Sequence, residues 1–231
     1  LLLKIDFGPE IALSTLLMKR TLFGCLAMLL AMTAGATIYS TNWNSGFANG
    51  GIVPDSNFSG WSDTRTVSTM PGGTLQSVAV NLNLSGGWNG DLYAYLVHSS
   101  GFCVLLDRVG PGAYGYGDAG MNVTLADVGT YGTVQGNIGT YGGGFVPSGV
   151  WNPDNTSGSL ASFLSTSPNG TWSLFIADMS AGGVTTVQNW GLQMDIVAVP
   201  EVETWVAAAL AGMFGAFWLN RSIWGKNPPQ A

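Results

Sequence analysis

An all-β sandwich is the fold class that this sequence predicts, and three observations predict it. Apolar and polar residues alternate with a period of two in several stretches, which is the signature of half-buried strands. No amphipathic helical stretch appears in the body of the chain. Of 231 residues, 34 are glycine and only 9% are charged, which fits many turns and an uncharged polar surface.

The elements follow in chain order. From Leu75, residues Val78, Val80, Leu82 and Leu84 alternate with Ser77, Ala79, Asn81 and Asn83, a half-buried strand. The break Gly86-Gly87-Trp88-Asn89-Gly90 leads into DLYAYLV, Asp91 to Val97, apolar on both faces and therefore central. Ser99, Ser100 and Gly101 turn the chain into FCVLLDRV, so the three strands are expected to pair antiparallel in series. The Gly-rich stretch 110–158 holds Tyr114, Tyr116, Tyr131, Tyr141, Phe145 and Trp151 but one clear strand, Met121 to Leu125. Its aromatics are expected to plug loops against the core, with a carbohydrate-stacking surface as the alternative. Tyr131-Gly132 and Tyr141-Gly142, each preceded by Gly-Thr, hint at a short duplicated hairpin. Trp172, Leu174 and Ile176 form the next inward face, and Trp190, Leu192, Met194 and Ile196 the last. Two strands, each turning one Trp toward the core, close the domain.

Charge and cysteine content narrow the function. Residues 37–199 contain no Lys and no Glu, and two arginines stand against nine aspartates, a formal charge of −7. A nucleic-acid partner is excluded on that ground, because phosphate binding needs basic clusters. The aspartates sit mostly beside Gly, Asn or Ser, where turn formation is expected, with calcium ligation as the alternative. Cys25 lies in an apolar leader and Cys103 among Phe102, Val104, Leu105 and Leu106, so a buried thiol is expected there, not a disulfide.

Two segments read as processing signals. Met18, Lys19 and Arg20 open a basic n-region, an apolar run follows, and Ala34-Gly35-Ala36 is a small-residue cleavage site. Residues 18–36 are therefore a secretory signal peptide cut after Ala36 by signal peptidase, and residues 1–17 an over-extended start. The body is 37–198. Beyond it, Val199-Pro200-Glu201 leads into WVAAALAGMFGAFWL, and extension to Trp224 reaches the roughly 20 residues that span a bilayer. Arg221 and Lys226 lie only on its C-terminal side, which puts that end in the cytoplasm. Residues 199–224 thus form a sorting segment with a membrane helix, and 225–231 a short tail.

Two family resemblances sit on these segments. The run GGWNGDLYAYLVHSSGFCVLL and the ending NGTWSLFIADMSAGGVTTVQNWGLQM resemble the P domain (P/Homo B) of proprotein convertases and many bacterial secreted proteins. Ile52 to Asp55 and Leu160 to Phe163 fit its opening and its Leu-Ser-Ala-Phe segment, while His98 stands in place of the common Pro. The resemblance covers roughly Ile52 to Ile196 and implies an antiparallel jelly-roll-like sandwich of about eight strands. In convertases this module stabilises the adjoining protease domain. The tail resembles the PEP-CTERM sorting signal of exopolysaccharide-producing Gram-negative bacteria, with Val202 where the second proline is usual. That resemblance implies an exosortase-like enzyme that recognises Pro200 and Glu201 and cuts near this motif.

Catalytic arrangements find little support. His98 is the only histidine, adjacent to Ser99 and Ser100, and a lone His at a strand end is expected to be solvated or capped. One histidine and one body cysteine do not furnish a zinc site. Asp91, Asp118, Asp127 and Asp154 are available for paired-carboxylate hydrolysis, with no spacing that pairs them. Asp91 and Asp178 stand at loop edges where calcium could gather oxygen ligands, against structural hydrogen bonding. The expected function is that of a non-catalytic exported module, anchored transiently in the inner membrane and then placed in the envelope or extracellular matrix. Two alternatives give it a partner: a separate secreted serine protease stabilised in trans, or carbohydrate such as exopolysaccharide.

Overall fold

The computed structural model describes residues 35–110, 114–137, 148–154, 158–198, 209–215 and 217–218. The chain divides into a compact β unit, Ala36–Ala198, and a second unit formed by Leu1–Gly35 and Val199–Ala231. The β unit is an all-β sandwich. Its strands are β1 (Ala36–Ser40), β2 (Asn57–Val67), β3 (Gly73–Gly86), β4 (Leu92–His98), β5 (Gly101–Asp107), β6 (Met121–Ala126), β7 (Gly149–Trp151), β8 (Gly170–Asp178) and β9 (Thr185–Ala198).

One sheet has the order β1-β9-β3-β6-β7 and the other β2-β8-β4-β5. Apart from β7, the strands interleave as in a jelly roll: successive strands alternate between sheets except at the β4–β5 hairpin. The alternating stretches are strands, but their partners differ from the expected series. β3 pairs with β6 and β9, whereas β4 lies in the other sheet between β5 and β8. The same crossing separates β8 from β9. Both breaks carry the chain over one end of the sandwich, because a strand apolar on its inner face is satisfied by either sheet. One pair departs from the antiparallel rule, since β7 runs parallel to β6.

The core lies between the sheets and includes the predicted inward faces of β3, β8 and β9. Val78, Val80, Leu82 and Leu84 of β3 and Trp190, Leu192, Met194 and Ile196 of β9 line one side. Leu92, Ala94 and Leu96 of β4 and Trp172, Leu174 and Ile176 of β8 line the other. The indole N–H of each core Trp needs an acceptor: Trp172 Nε1 donates to Pro168 O (3.0 Å) and Trp190 Nε1 to Asp63 Oδ2 (2.7 Å). β2 carries a bulge between Asn57 and Trp61, where Gly60 has φ +59° and a Cβ would lie 2.5 Å from Ile176 O. Cys103 is a buried thiol, as expected; burial pushes its pKa up to about 12, with the Asp127 charge adding to the effect.

The expected duplicated hairpin is described only around Tyr131, which packs on buried Trp151 at 5.0 Å; Tyr141 lies outside the described residues. One helical turn, α1 (Val134–Asn137), occurs in this region. In the second unit, residues 209–215 and 217–218 are helical, with Leu210, Met213, Phe214, Phe217 and Trp218 exposed. Among the described residues no helix is long and apolar enough to cross a membrane. Residues 18–34 of the expected leader, and Pro200 and Glu201, lie outside the described residues; Ala36 is the first residue of β1.

Candidate functional site at the loop end

Jelly-roll topology sends four connections to one end of the sandwich: β1–β2, β3–β4, β5–β6 and β8–β9. They are bonded to one another. Val53 N donates to Thr185 O (2.9 Å), Gly182 N to Asp55 Oδ1 (2.9 Å), Met179 N to Asp91 O (2.7 Å) and Gly90 N to Tyr116 O (2.8 Å). Asp91 and Asp178, apart by most of the body in sequence, meet here because Leu92 of β4 pairs with Asp178 of β8. Asp178 continues the inward face of Trp172, Leu174 and Ile176, and Thr185 opens the inward face of β9 across from it.

Both aspartates are buried, Asp91 at 3% exposure and Asp178 at 0%. Arg108 reaches Asp91 Oδ1 at 3.5 Å and also donates to Gly90 O (3.1 Å) and Ser180 Oγ (2.6 Å). Ser180 N donates to Asp178 Oδ1 (3.2 Å). Burial raises the pKa of Asp178 above the carboxylate range, the charges of Asp91 and Asp55 add to this, and the Ser180 and Ser56 main chains oppose it. Among the described residues no three His, Cys, Asp or Glu side chains form a metal-binding group.

An open cleft adjoins this cluster, lined by Trp88, Asp91, Tyr114, Tyr116 and Ser180. Tyr114 is 78% exposed and Trp88 43%, and the Arg108 guanidinium stands 5.8 Å from the Tyr114 ring centre. Among the described residues the other candidate stacking aromatics are engaged in packing: Trp151 is fully buried, Tyr131 covers it, and Tyr116 packs on the core. Sequence reasoning named Tyr114 and missed Trp88, whose Gly-rich surroundings read simply as a turn.

His98, Asp127 and Asp154 have structural partners. His98 is buried at 5% exposure, not solvated, and stacks on Trp172 at 4.3 Å. Its Nδ1 lies 2.8 Å from Ser100 Oγ, two residues on, and accepts from Ser100 N (3.4 Å). Burial lowers its pKa, with the Asn169 main chain opposing. Asp127 Oδ2 accepts from Ser159 Oγ at 3.3 Å. Asp154 accepts from the main-chain N–H groups of Asp107 (2.5 Å) and Gln135 (2.9 Å), which ties α1 to β5.

Burial raises the Asp154 pKa to about 6, while those two main-chain bonds pull it down and the charge of Asp107 adds to the rise. A carboxyl raised above its unfolded pKa of 3.8 opposes folding when ionised, so the cost is full above pH 6 and is relieved as pH falls toward 4. The gain in unfolding free energy from pH 7 to pH 5 is therefore expected to be about 1 kcal/mol larger in the wild type than in Asp154→Asn. Denaturant melts at the two pH values read this difference. Equal pH responses in the two proteins would remove Asp154 as its source.

The fold and this end define a class: an all-β sandwich of jelly-roll type with four bonded loops at one end. No family model matches the chain, and no curated protein matches it. Similar solved structures include a crystal structure of Aeromonas sobria serine protease (ASP) in complex with the chaperone ORF2. That match has 16% identity and a TM-score of 0.46, and covers 75% of this chain and 29% of that one. A crystal structure of the serine protease of Aeromonas sobria matches with 16% identity and a TM-score of 0.41, covering 74% of this chain and 29% of that one. The chain thus spans less than a third of the length of these structures.

Proposed function

We propose that this chain is a non-catalytic, exported partner module that acts on a separate secreted serine protease by surface contact while displayed at the cell envelope. The observation that carries the display is the extent of the β unit. Ala36–Ala198 matches, to within about one residue, the interval between the two expected processing points, after Ala36 and at Val199-Pro200-Glu201. Its two ends are neighbours, since Ala36 pairs with Val197, and both leave at the end opposite the four loops.

The protease partner rests on the P-domain motifs, which lie on adjoining strands: GDLYAYL runs into β4, NGTWSLFIAD forms β8 and QNWGLQM lies in β9. The test is mass analysis of the mature protein from its native envelope, together with co-purification from the secreted fraction. The expected protein begins at Thr37, ends near Val199 to Glu201, and carries a serine protease whose melting temperature drops on separation. Retention of residues 18–36 and 199–224 in the mature protein refutes the sorting. Failure of any serine protease to co-purify refutes the partner.

A second reading is favoured by Trp88 and Tyr114, two exposed rings beside the polar groups of Asp91 and Ser180 in one cleft. Aromatic faces beside hydrogen-bonding groups suit a sugar chain. Retardation in gels cast with envelope exopolysaccharide, lost in Trp88→Ala, selects this reading.

A further inference from the structure

Side chains at the loop end leave oxygens that the protein does not satisfy. Four buried acceptor atoms there have no hydrogen-bond partner among the described residues: Asn89 Oδ1, Asp91 Oδ2, Asp178 Oδ2 and Thr185 Oγ1. Asn89, Asp178 and Thr185 are fully buried and Asp91 is 3% exposed. Leaving one such atom unmet is costly, and buried polar groups are normally paired with protein, water or an ion. These four come from two sheet-to-sheet connections that cross side by side. Asn89 and Asp91 lie between β3 and β4, and Asp178 and Thr185 flank the link from β8 to β9. The crossings are held in register, because Gly86 pairs with Thr185 and Leu92 with Asp178.

We propose that this end of the sandwich binds one calcium ion between the carboxylates of Asp91 and Asp178, the amide oxygen of Asn89 and the hydroxyl of Thr185. The inference is independent of the export and partner readings. Every candidate ligand is an oxygen, and hard oxygen donors select calcium or magnesium over zinc or copper. Calcium is favoured because it accepts six to eight oxygens in irregular arrangements, whereas magnesium demands a near-ideal octahedron. Two carboxylates give the charge, and main-chain carbonyls or water complete the shell.

Charge points the same way. Among the described residues the one cation in contact with this cluster is Arg108, which reaches Asp91 Oδ1, Ser180 Oγ and Gly90 O, so the charges of Asp55, Asp91 and Asp178 outnumber it. Asp55 Oδ1 is held by Gly182 N, so Asp55 supports the field without being a required ligand. Like charges that repel one another in the empty site become favourable once a divalent cation lies between them. The ion would add a further link between connections that already meet through main-chain bonds and the side chains of Asp55 and Arg108, and so fix the wall of the adjoining cleft.

The experiment uses the full chain purified in detergent, stripped with EGTA and titrated with CaCl2. The expected result is a rise of several degrees in melting temperature at about 1 mM calcium, as mass action requires for a ligand that binds the folded state alone. Terbium substituted for calcium is expected to luminesce on tryptophan excitation, because Trp88 lies beside this end against Gly182. Asp178→Asn keeps the side-chain shape and removes a buried charge, so it is expected to fold with an unchanged or higher melting temperature in EGTA. It is expected to lose the calcium shift. Thr185→Val, which keeps volume, is expected to weaken the calcium midpoint several-fold. The proposal is overturned if the wild type gives neither a calcium shift nor terbium luminescence up to about 10 mM, or if Asp178→Asn responds like the wild type.

Discussion

Trp172→Ala is expected to lower the unfolding free energy by about 3–5 kcal/mol, the cost of emptying a fully buried Trp site. The ring is held on two sides, by His98 at 4.3 Å and Phe163 at 5.1 Å, and its N–H is bonded to Pro168 O. Removing it opens a cavity between β8, β4 and the 160–163 turn, and leaves Pro168 O without its donor. In a domain of this size the melting temperature is expected to fall by roughly 10 °C. A second readout is specific to the stack: His98, relieved of burial, is expected to titrate closer to its ordinary range, as NMR of the ring protons reports. Loss of stability without movement of that titration would mean that Trp172 does not shield His98.

Gly90→Ala is the second large effect, expected to cost about 3 kcal/mol, the upper range for overpacking a rigid site. A Cβ on Gly90 would stand 2.4 Å from Tyr114 O and Tyr116 N and 2.6 Å from the Gly115 carbonyl carbon. All three are backbone atoms that cannot rotate away. Gly90 N is bonded to Tyr116 O, and Tyr116 N to Val109 O, so the 114–116 segment cannot retreat without breaking a ladder. This explains each member of the Gly-Asp-Leu motif: the glycine admits a neighbouring backbone, Asp91 faces Arg108, and Leu92 enters the core. Gly117→Ala is the matched control, since a Cβ there meets nothing within 4 Å, and it is expected to change stability by less than about 0.5 kcal/mol. Urea midpoints of the two variants make the comparison. Equal midpoints would show that the 114–116 loop yields readily.

Legibility differed from strand to strand for reasons visible in the residues. β3, β8 and β9 alternate cleanly because their inward positions are large and apolar except at the loop end, where Asp178 and Thr185 stand. β2 escaped notice because its inward positions are Trp61, Asp63, Arg65 and Val67, and two charged residues break the period. Their burial is made tolerable by each other: Arg65 Nε donates to Asp63 Oδ2 at 2.7 Å, and Trp190 supplies a second donor to the same oxygen. That second donor comes from 127 residues away, so no local pattern announces it. β1 and β7 are short edge strands whose composition resembles that of the loops around them. At the loop end, Asp91 and Asp178 were recognisable as loop-edge acids. Asn89 beside glycine and Thr185 beside threonine read as ordinary turn and strand residues until the fold buried them.

By itself the sequence determined the all-β class, the inward faces of three strands, the buried thiol at Cys103 and the acidic, lysine-free body. These properties follow from composition and from the two-residue period of a pleated strand, which are local. Only the tertiary structure decided which sheet each strand joins, that four loops share one end, and that β1 and β9 bring both ends of the β unit together. Strand pairing and sheet membership are chosen by contacts between distant residues, and alternation along one strand carries no label for its partner. The place of His98 against Trp172, and the meeting of Asn89, Asp91, Asp178 and Thr185, belong to that second kind of information.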